Sequence, residues 1–275
     1  MGALLALASA VCYGLVDFAG GLLSRRVHHV TVSFLGQVGG LLLACLAALL
    51  VSAPAPARAD LLWGALSGLG SGTAMLFLNR GLSRGTMSVV VPVSAVTGVA
   101  LSVLCGVLVL GDRPGSVAWA GIVVTVPALW LVSGGDGSGR GPAVTDGLLA
   151  SAGVAVQYLA LGQAGPGSGL WPVAAGRVAA VLLLLPAVAR HPERLRTPPR
   201  RSAEALLIGA GAALGLILYL LAAQRQLLAV AVVLASLYPA LPVLLGLALL
   251  HERLTRRQTA GLIGAAAATV LLTLG

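Results

Sequence analysis

Long apolar segments alternate with short polar, glycine-rich or proline-rich segments along the whole chain. Charged residues, prolines and glycine clusters mark the breaks, and each apolar segment is close to the ~20 residues that a helix needs to cross a bilayer core. The predicted helices cover residues 3–22, 31–52, 60–79, 87–110, 115–133, 145–164, 169–189, 203–222, 228–250 and 257–274. The pattern predicts an all-α membrane protein with about ten transmembrane helices.

The two halves of the sequence match each other at a nearly constant spacing, which indicates an internal duplication. LVLGDRPGSVAWAGI (108–122) aligns with ALLHERLTRRQTAGL (248–262) at an offset of 140 residues. The segment that begins at Trp63 aligns with the segment that begins at Ile208 at an offset of 145. The chain therefore contains two copies of one ancestral unit.

Each copy has five predicted spans. The glycine-rich stretch SGGDGSGRGP (133–142) predicts a flexible linker between them, and we assign residues 1–135 and 136–275 to the two five-helix repeats. Because five is an odd number, the second repeat is expected to be inverted in the membrane relative to the first. Inverted repeats are typical of transporters, in which two similar bundles move around a site near the membrane midplane.

The composition agrees with a membrane protein and leaves no room for a soluble domain. Of the 275 residues, 58% are hydrophobic and 9% are charged, and the mean hydropathy is +1.00. The net charge of +9 comes from arginines scattered through short gaps, so nucleic acid is not an expected partner. All cysteines lie in apolar runs and no Walker motif occurs, so no metal, no cofactor and no direct use of ATP is expected.

Asp17, in YGLVDFAGGLLSRR (13–26), interrupts the apolar run of the first predicted helix. An ionisable side chain inside a span costs about 2.5–3.5 kcal/mol and usually faces a water-filled cavity or a partner. One interpretation is a carboxylate that takes up a proton on one side of the membrane and releases it on the other. The alternative is a local cap or ion pair, because Arg25 and Arg26 follow within about two turns.

Arg177 lies in the middle of the seventh predicted helix, in SGLWPVAAGRVAAVLLLLP (168–186), and is expected to face the interior of the bundle. It would attract an anionic group of a solute or hold the Asp17 carboxylate. The alternative is a structural ion pair or a clamp on backbone carbonyls. Gln37, at an offset of 140, is also polar and in mid-span, so the two positions predict a site near the axis that relates the repeats.

Further polar residues are predicted to line the same cavity. Gln157 and Tyr158 lie in the sixth predicted helix and Tyr219 in the eighth, although tyrosines near a membrane surface commonly serve as belt residues. Tyr238 lies in the ninth helix next to prolines, and Pro92 interrupts the fourth. Breaks at corresponding places of two repeats favour gating or site lining, and the alternative is a tolerated kink.

The acidic residue and arginine in LGDRP (110–114) and LHERL (250–254), each between the last two spans of a repeat, resemble the EamA-type proteins of the drug/metabolite transporter superfamily. The first-helix pattern around Asp17 is similar to that of a bacterial subgroup. The resemblance implies a single-domain secondary transporter in the cell (plasma) membrane that exports metabolites or toxic compounds, often in exchange for protons. We interpret the acidic residues and arginines of the two motifs themselves as surface ion pairs that end one helix and start the next.

The leading functional prediction is thus a carrier that exports a small polar or amphipathic solute and acts as a monomer or homodimer in the lipid bilayer. It either couples export to protons through Asp17 or runs as an exchanger. One alternative is an intramembrane enzyme acting on lipid-linked substrates, although neither HExxH nor GxSxG occurs in the sequence. The other alternative is a structural or sensory membrane module that does not transport.

The loop arginines fall mainly on one predicted face: Arg25, Arg26, Arg80, Arg84, Arg140, Arg190, Arg194, Arg196, Arg200, Arg201, Arg253, Arg256 and Arg257. The other face has Arg58, Arg113 and Arg225. The positive-inside rule assigns the first face to the cytoplasm and both termini to the outside. The family resemblance implies that both termini are inside, so the sequence leaves the orientation open.

Overall fold

The computed structural model describes residues 2–51, 53, 56–105, 107–108, 115–132, 141–223 and 238–274. Within these ranges the chain forms ten α-helices: α1 (Gly2–Ser24), α2 (His29–Leu50), α3 (Arg58–Arg84), α4 (Met87–Cys105), α5 (Ser116–Val132), α6 (Gly141–Gly162), α7 (Trp171–Ala189), α8 (Pro199–Ala223), α9 (Ala240–Leu249) and α10 (Arg256–Leu274). The all-α prediction is confirmed.

The main difference from the predicted bounds is at the end of α3, which continues past residue 79 to Arg84. Asn79 and Arg80 do not stop the helix because both find polar partners inside the protein. Asn79 donates to the Ser33 hydroxyl at 3.0 Å, and Arg80 donates to the Asp146 carboxylate. The predicted linker residues 133–140 and the first part of the predicted ninth helix, 228–237, lie outside the described residues.

Seven of the described helices, α1 to α3, α6 to α8 and α10, are long and apolar enough to cross a bilayer. The apolar stretches in the described parts of α4, α5 and α9 are shorter. Many large apolar side chains point outward, among them Leu4, Leu49 and Leu207, each at least 67% exposed. An outer surface of this kind is stable against lipid tails, so the protein is a multi-pass membrane protein.

The third helix of each repeat packs mainly against the other repeat. α3 packs along α6 and α7, while α8, its counterpart in the sequence, packs along α1 and α2. Counterparts also meet directly, since α2 crosses α7 and α5 lies along α10. The two halves of the chain are therefore interleaved, whereas the duplication alone suggested two separate bundles.

Two polar contacts fix α3 antiparallel to α6. Arg80, near the end of α3, donates from Nε to Asp146 near the start of α6 at 2.8 Å. Asp60, in the first turn of α3, accepts the backbone N–H of Gly165, just beyond the end of α6, at 2.9 Å. Because opposite ends meet, the two helices run in opposite directions through the bundle.

Most of the described arginines lie at one end of the bundle, which we call the basic face. Thr31, at the start of α2, donates to the carbonyl of Arg194 at 3.0 Å, and the Arg25 guanidinium lies 3.6 Å from the Glu252 carboxylate. Burial and the charge of Arg194 lower the pKa of His28, which lies between α1 and α2 on this face. The described arginines thus group as the sequence predicted.

Two glycine crossings set the closest approaches between helices. A Cβ atom added to Gly68 in α3 would lie 1.8 Å from the carbonyl oxygen of Gly176 in α7. One added to Gly209 in α8 would lie 1.6 Å from the carbonyl oxygen of Gly36 in α2. Gly36 and Gly176 are counterparts at an offset of 140 residues, so the repeats make equivalent backbone contacts that only glycine permits.

We expect Gly209→Ala to lower the free energy of unfolding by about 1–3 kcal/mol, because the added methyl group overlaps the Gly36 carbonyl oxygen. The measurement is the Tm of the purified protein in detergent. Gly141→Ala is the matched control, since a Cβ atom there meets nothing within 4 Å. Equal Tm values for the two variants would contradict the close crossing of α2 and α8.

Candidate functional site

A polar cavity of about 110 Å³ lies inside the bundle, between helices of both repeats. Its polar side chains are Tyr13, Asp17, Gln37, Ser71, Ser94, Gln157, Tyr158, Arg177 and Tyr238. Apolar residues such as Val16, Leu78 and Val154 complete the wall. The structure therefore brings together the predicted site residues of α1, α2, α6 and α7, with Tyr238 just before α9.

Gln37 and Arg177 meet at the crossing of α2 and α7. The Arg177 guanidinium donates from Nη1 to the Gln37 Oε1 atom at 2.8 Å, and the two residues are 4% and 0% exposed, respectively. The Gln37 amide nitrogen approaches the Ser71 carbonyl and the Met75 sulfur, at 3.5 and 3.4 Å. This arrangement directs the amide oxygen towards the arginine, so the polar pair predicted from the repeat offset forms a direct contact.

The Arg177 charge has no carboxylate partner among the described residues. The Asp17 carboxylate lines the same cavity without forming an ion pair with it, so the predicted Asp17–Arg177 pairing is absent. A cation inside a membrane is costly, and a single neutral amide offsets only part of that cost. The guanidinium has five N–H donors, and those not used by Gln37 remain available to an anionic group in the cavity.

Asp17 faces the cavity rather than the arginines that follow it. Arg25 donates to the carbonyls of Leu82 and Gly85, at 3.3 and 3.2 Å, and pairs with Glu252. The local ion pair proposed as the alternative for Asp17 is therefore not formed. Within the described part of the chain, the Asp17 carboxylate has no hydrogen bond and no ion pair.

Asp17 has a repeat counterpart that also lines the cavity. Gln157 in α6 follows it by 140 residues, the same offset that relates Gln37 to Arg177. Each pair combines one charged residue with one neutral amide, and the acid and the base belong to different repeats. Both repeats thus place polar side chains at equivalent positions of the cavity wall, but at each pair of positions only one of the two side chains is charged.

Tyr13 is a cavity residue that the sequence analysis missed. Its ring lies 6.0 Å from the ring of Tyr238, and its buried hydroxyl has no hydrogen-bond partner among the described residues. Tyr13 precedes Asp17 by one helical turn, so the i, i+4 spacing on α1 is the signal that would have identified it. Its neighbour across the cavity wall is Gly215, whose missing side chain leaves room for the ring.

Tyr219 is a predicted site residue that does not line the cavity. Ala212 is the α8 residue in the cavity wall, and Tyr219 follows it by seven residues, about 10 Å along the helix. Tyr219 shares roughly the same helical face but lies beyond the cavity.

The structure corrects the interpretation of Glu252 in the LHERL motif. Its place in a short connection between two helices predicts a surface ion pair, but its side chain is 6% exposed and contacts the start of α4. Its burial arises because the α9–α10 connection folds over the end of another helix instead of extending into solvent. The corresponding residues of LGDRP, Asp112 and Arg113, lie outside the described residues.

The fold and the cavity define the class of protein first: an all-helical, multi-pass membrane protein with a polar chamber between two repeats. Residues 1–134 and 145–274 match the EamA-like transporter family. The chain belongs to this family, which confirms the resemblance seen in its two acidic-arginine motifs. It is therefore a membrane transporter for a small solute, and the family consists of transporters rather than enzymes.

A comparison with solved structures supports the fold. One chain, described as the crystal structure of a protein, superposes with a TM-score of 0.62 at 13% sequence identity. The match covers 99% of this chain and 97% of that chain. At this identity the likeness concerns the fold alone. No curated protein matches the sequence.

A double-mutant cycle tests the contact between Gln37 and Arg177. We expect Gln37→Leu to lower the free energy of unfolding by about 1.5–3 kcal/mol, because the buried guanidinium loses its partner. The combined change of Gln37→Leu with Arg177→Leu should recover part of that loss, since the guanidinium that lost its partner is then removed as well. The measurement is denaturant or thermal unfolding in detergent, with Gln163→Leu, at an exposed position, as the control. Strictly additive effects would contradict the contact.

Proposed function

We propose that the protein is a secondary active transporter that exports a small polar or amphipathic solute across the cell membrane by alternating access. The observation that carries this proposal is the cavity, whose acidic and basic side chains come from different repeats and are not paired with each other. Charges held apart in this way at high energetic cost are typical of sites that bind a solute or an ion.

Alternating access is commonly achieved by two structurally similar halves of opposite orientation. We infer this inversion from the packing. α3 runs antiparallel to α6, and the helices of a ten-span chain alternate in direction, so α1 and α3 run the same way and α6 runs against both. Because α6 is the counterpart of α1, the repeats would then have opposite orientations in the membrane. The interleaving of α3 and α8 fits the same relation.

The Arg177 guanidinium is the proposed contact for an anionic group of the solute, such as a carboxylate or a phosphate. Its contact with Gln37 leaves most of its N–H donors free and fixes the direction in which they point. The Tyr13 hydroxyl and the Ser94 side chain supply neutral hydrogen-bonding groups in the same wall. A solute bound here would lie between the two repeats.

Asp17 is the proposed proton-binding residue. While the cavity is closed to water, a carboxylate without a partner is more stable in its protonated, neutral form. When the cavity opens to water, the carboxylate releases the proton and ionises. Opening to each side in turn would therefore let Asp17 take up a proton on one side and release it on the other. This cycle would couple export to the proton gradient.

We expect Asp17→Asn to abolish transport driven by a pH gradient, because the amide keeps the shape of the carboxylate but does not bind a proton. The solute is first identified by comparing metabolite and toxin export from cells with and without the protein. Uptake is then measured in proteoliposomes with an imposed pH gradient, with the exposed Glu193→Gln as the matched control. Unchanged transport by a folded Asp17→Asn protein would exclude the proton-binding role.

Arg177→Gln should weaken the binding of an anionic solute by about 10- to 100-fold, the loss expected for a hydrogen bond to a charged group. The measurement is an equilibrium titration of purified protein with the solute that the export comparison identifies. Arg58→Gln, on the face opposite the basic face, is the control. Equal affinities for Arg177→Gln and the unaltered protein would assign Arg177 a structural role only.

A further inference from the structure

Glu252 of the LHERL motif takes no part in the cavity, yet it is held by several hydrogen bonds. Its Oε1 atom accepts the backbone N–H of Met87 at 2.9 Å. Its Oε2 atom accepts the backbone N–H of Ser88 at 3.0 Å and the Ser88 hydroxyl at 2.7 Å. N–H groups in the first turn of a helix have no partner within the helix, and a negative charge there is favourable. A loop of the second repeat thus caps a helix of the first.

Arg25 extends this contact to two more helices. Its Nη2 atom lies 3.6 Å from Glu252 Oε1, and the side chain also donates to the carbonyls of Leu82 and Gly85 at the end of α3. These interactions join the ends of α1 and α3, the start of α4 and the α9–α10 connection on the basic face. We call this set the latch; it consists of Arg25, Met87, Ser88 and Glu252.

An apolar cluster separates the latch from the cavity. We call it the plug, and its buried members are Phe18, Leu82, Met87, Val90, Val91 and Ala143. Phe18 directly follows Asp17 on α1, and Met87 belongs to both the plug and the latch. The plug is closely packed, since a Cβ atom added to Gly21 would lie 2.8 Å from the Met87 methyl carbon. Along α1, α3 and α4 the plug residues thus lie between the residues that line the cavity and the basic face.

α4 has a weak point between the latch and the cavity. Pro92 lies inside the helix and has no N–H, so the Ser88 carbonyl lacks its usual helical hydrogen bond. Ser94, half a turn further on, lines the cavity. Glu252 thus holds the first turn of α4 at its start, and Pro92 separates that turn from the rest of the helix.

We propose that the latch and the plug form the gate of the transporter at the basic face, and that Glu252 keeps this gate closed by holding the first turn of α4. Release of Glu252 lets that turn bend at Pro92, separates Met87 from Phe18 and opens the cavity to the basic face. The inference rests on the proposed alternating access, and it assigns a positioning role to an acidic residue of the family motif.

Access of a thiol reagent to the cavity tests the gate without solute or proton gradient. Ser94→Cys is introduced after Cys12, Cys45 and Cys105 are replaced by alanine, and a membrane-impermeant, sulfonate-bearing thiosulfonate is applied from the basic face. Glu193→Cys, in the α7–α8 connection, reports which face of the vesicle is outside. The rate at which Ser94→Cys is modified measures how often the gate is open.

We expect Glu252→Ala to raise this rate about tenfold or more, because all carboxylate contacts with α4 are lost. Ser88→Ala keeps the charge and removes one hydrogen bond, so it should raise the rate about threefold and is less liable to disturb folding. Modification from the opposite face should not increase in either variant.

Two variants on the same face serve as controls. Glu204→Ala removes an exposed carboxylate that pairs with Arg200, and Ser83→Ala removes a hydroxyl that bonds only within α3. Neither should change the rate. Equal rates for folded Glu252→Ala and unaltered protein, or a rise only from the opposite face, would overturn the proposal. The readout does not depend on transport, so a failed gate and a failed transport mechanism give different results.

Discussion

The buried positive charge of Arg177 at the crossing of α2 and α7 is the constraint on which the centre of the molecule depends. A guanidinium within a membrane must keep polar contact, and Gln37 supplies it from the facing helix. The helices have to approach closely for this contact. Gly40 permits the approach, because a Cβ atom there would lie 3.3 Å from the guanidinium carbon. The position of α7 against α2, and with it the cavity wall, follows from this requirement.

The repeats share their backbone packing but not their charges. At the two central positions one repeat carries a charge and the other a neutral amide, in the pairs Gln37 with Arg177 and Asp17 with Gln157. Two arginines facing each other at the α2–α7 crossing would repel strongly in a medium of low dielectric constant. Replacing one by glutamine turns that repulsion into a hydrogen bond. The two repeats thus share their backbone packing at this crossing, while one contributes the acidic group of the chamber and the other the basic group.

The sequence was sufficient for the helices, because their length and apolar character are imposed by the bilayer on each segment separately. The sequence was also sufficient to predict that Gln37 and Arg177 lie close together, since the offset between the repeats makes them equivalent positions. It was not sufficient where a side chain depends on packing between distant segments. Glu252 has the sequence character of a loop residue, and its burial depends on where α4 begins in space. The position of Tyr219 outside the described cavity wall has a related reason, since the depth of a residue along a helix relative to a cavity is set by neighbouring helices.

The placement of Asp17 links the cavity to the proposed gate through one helix. α1 carries Asp17 in the cavity wall, Phe18 in the plug and Arg25 in the latch, within eight residues or about 12 Å. A ligand shifts a conformational equilibrium only if it interacts differently with the two states. The charged carboxylate is better solvated when the gate is open to water, so its charge favours opening. In the proposed cycle, a proton that neutralises Asp17 would remove that preference and would let Phe18 and Met87 close over the cavity.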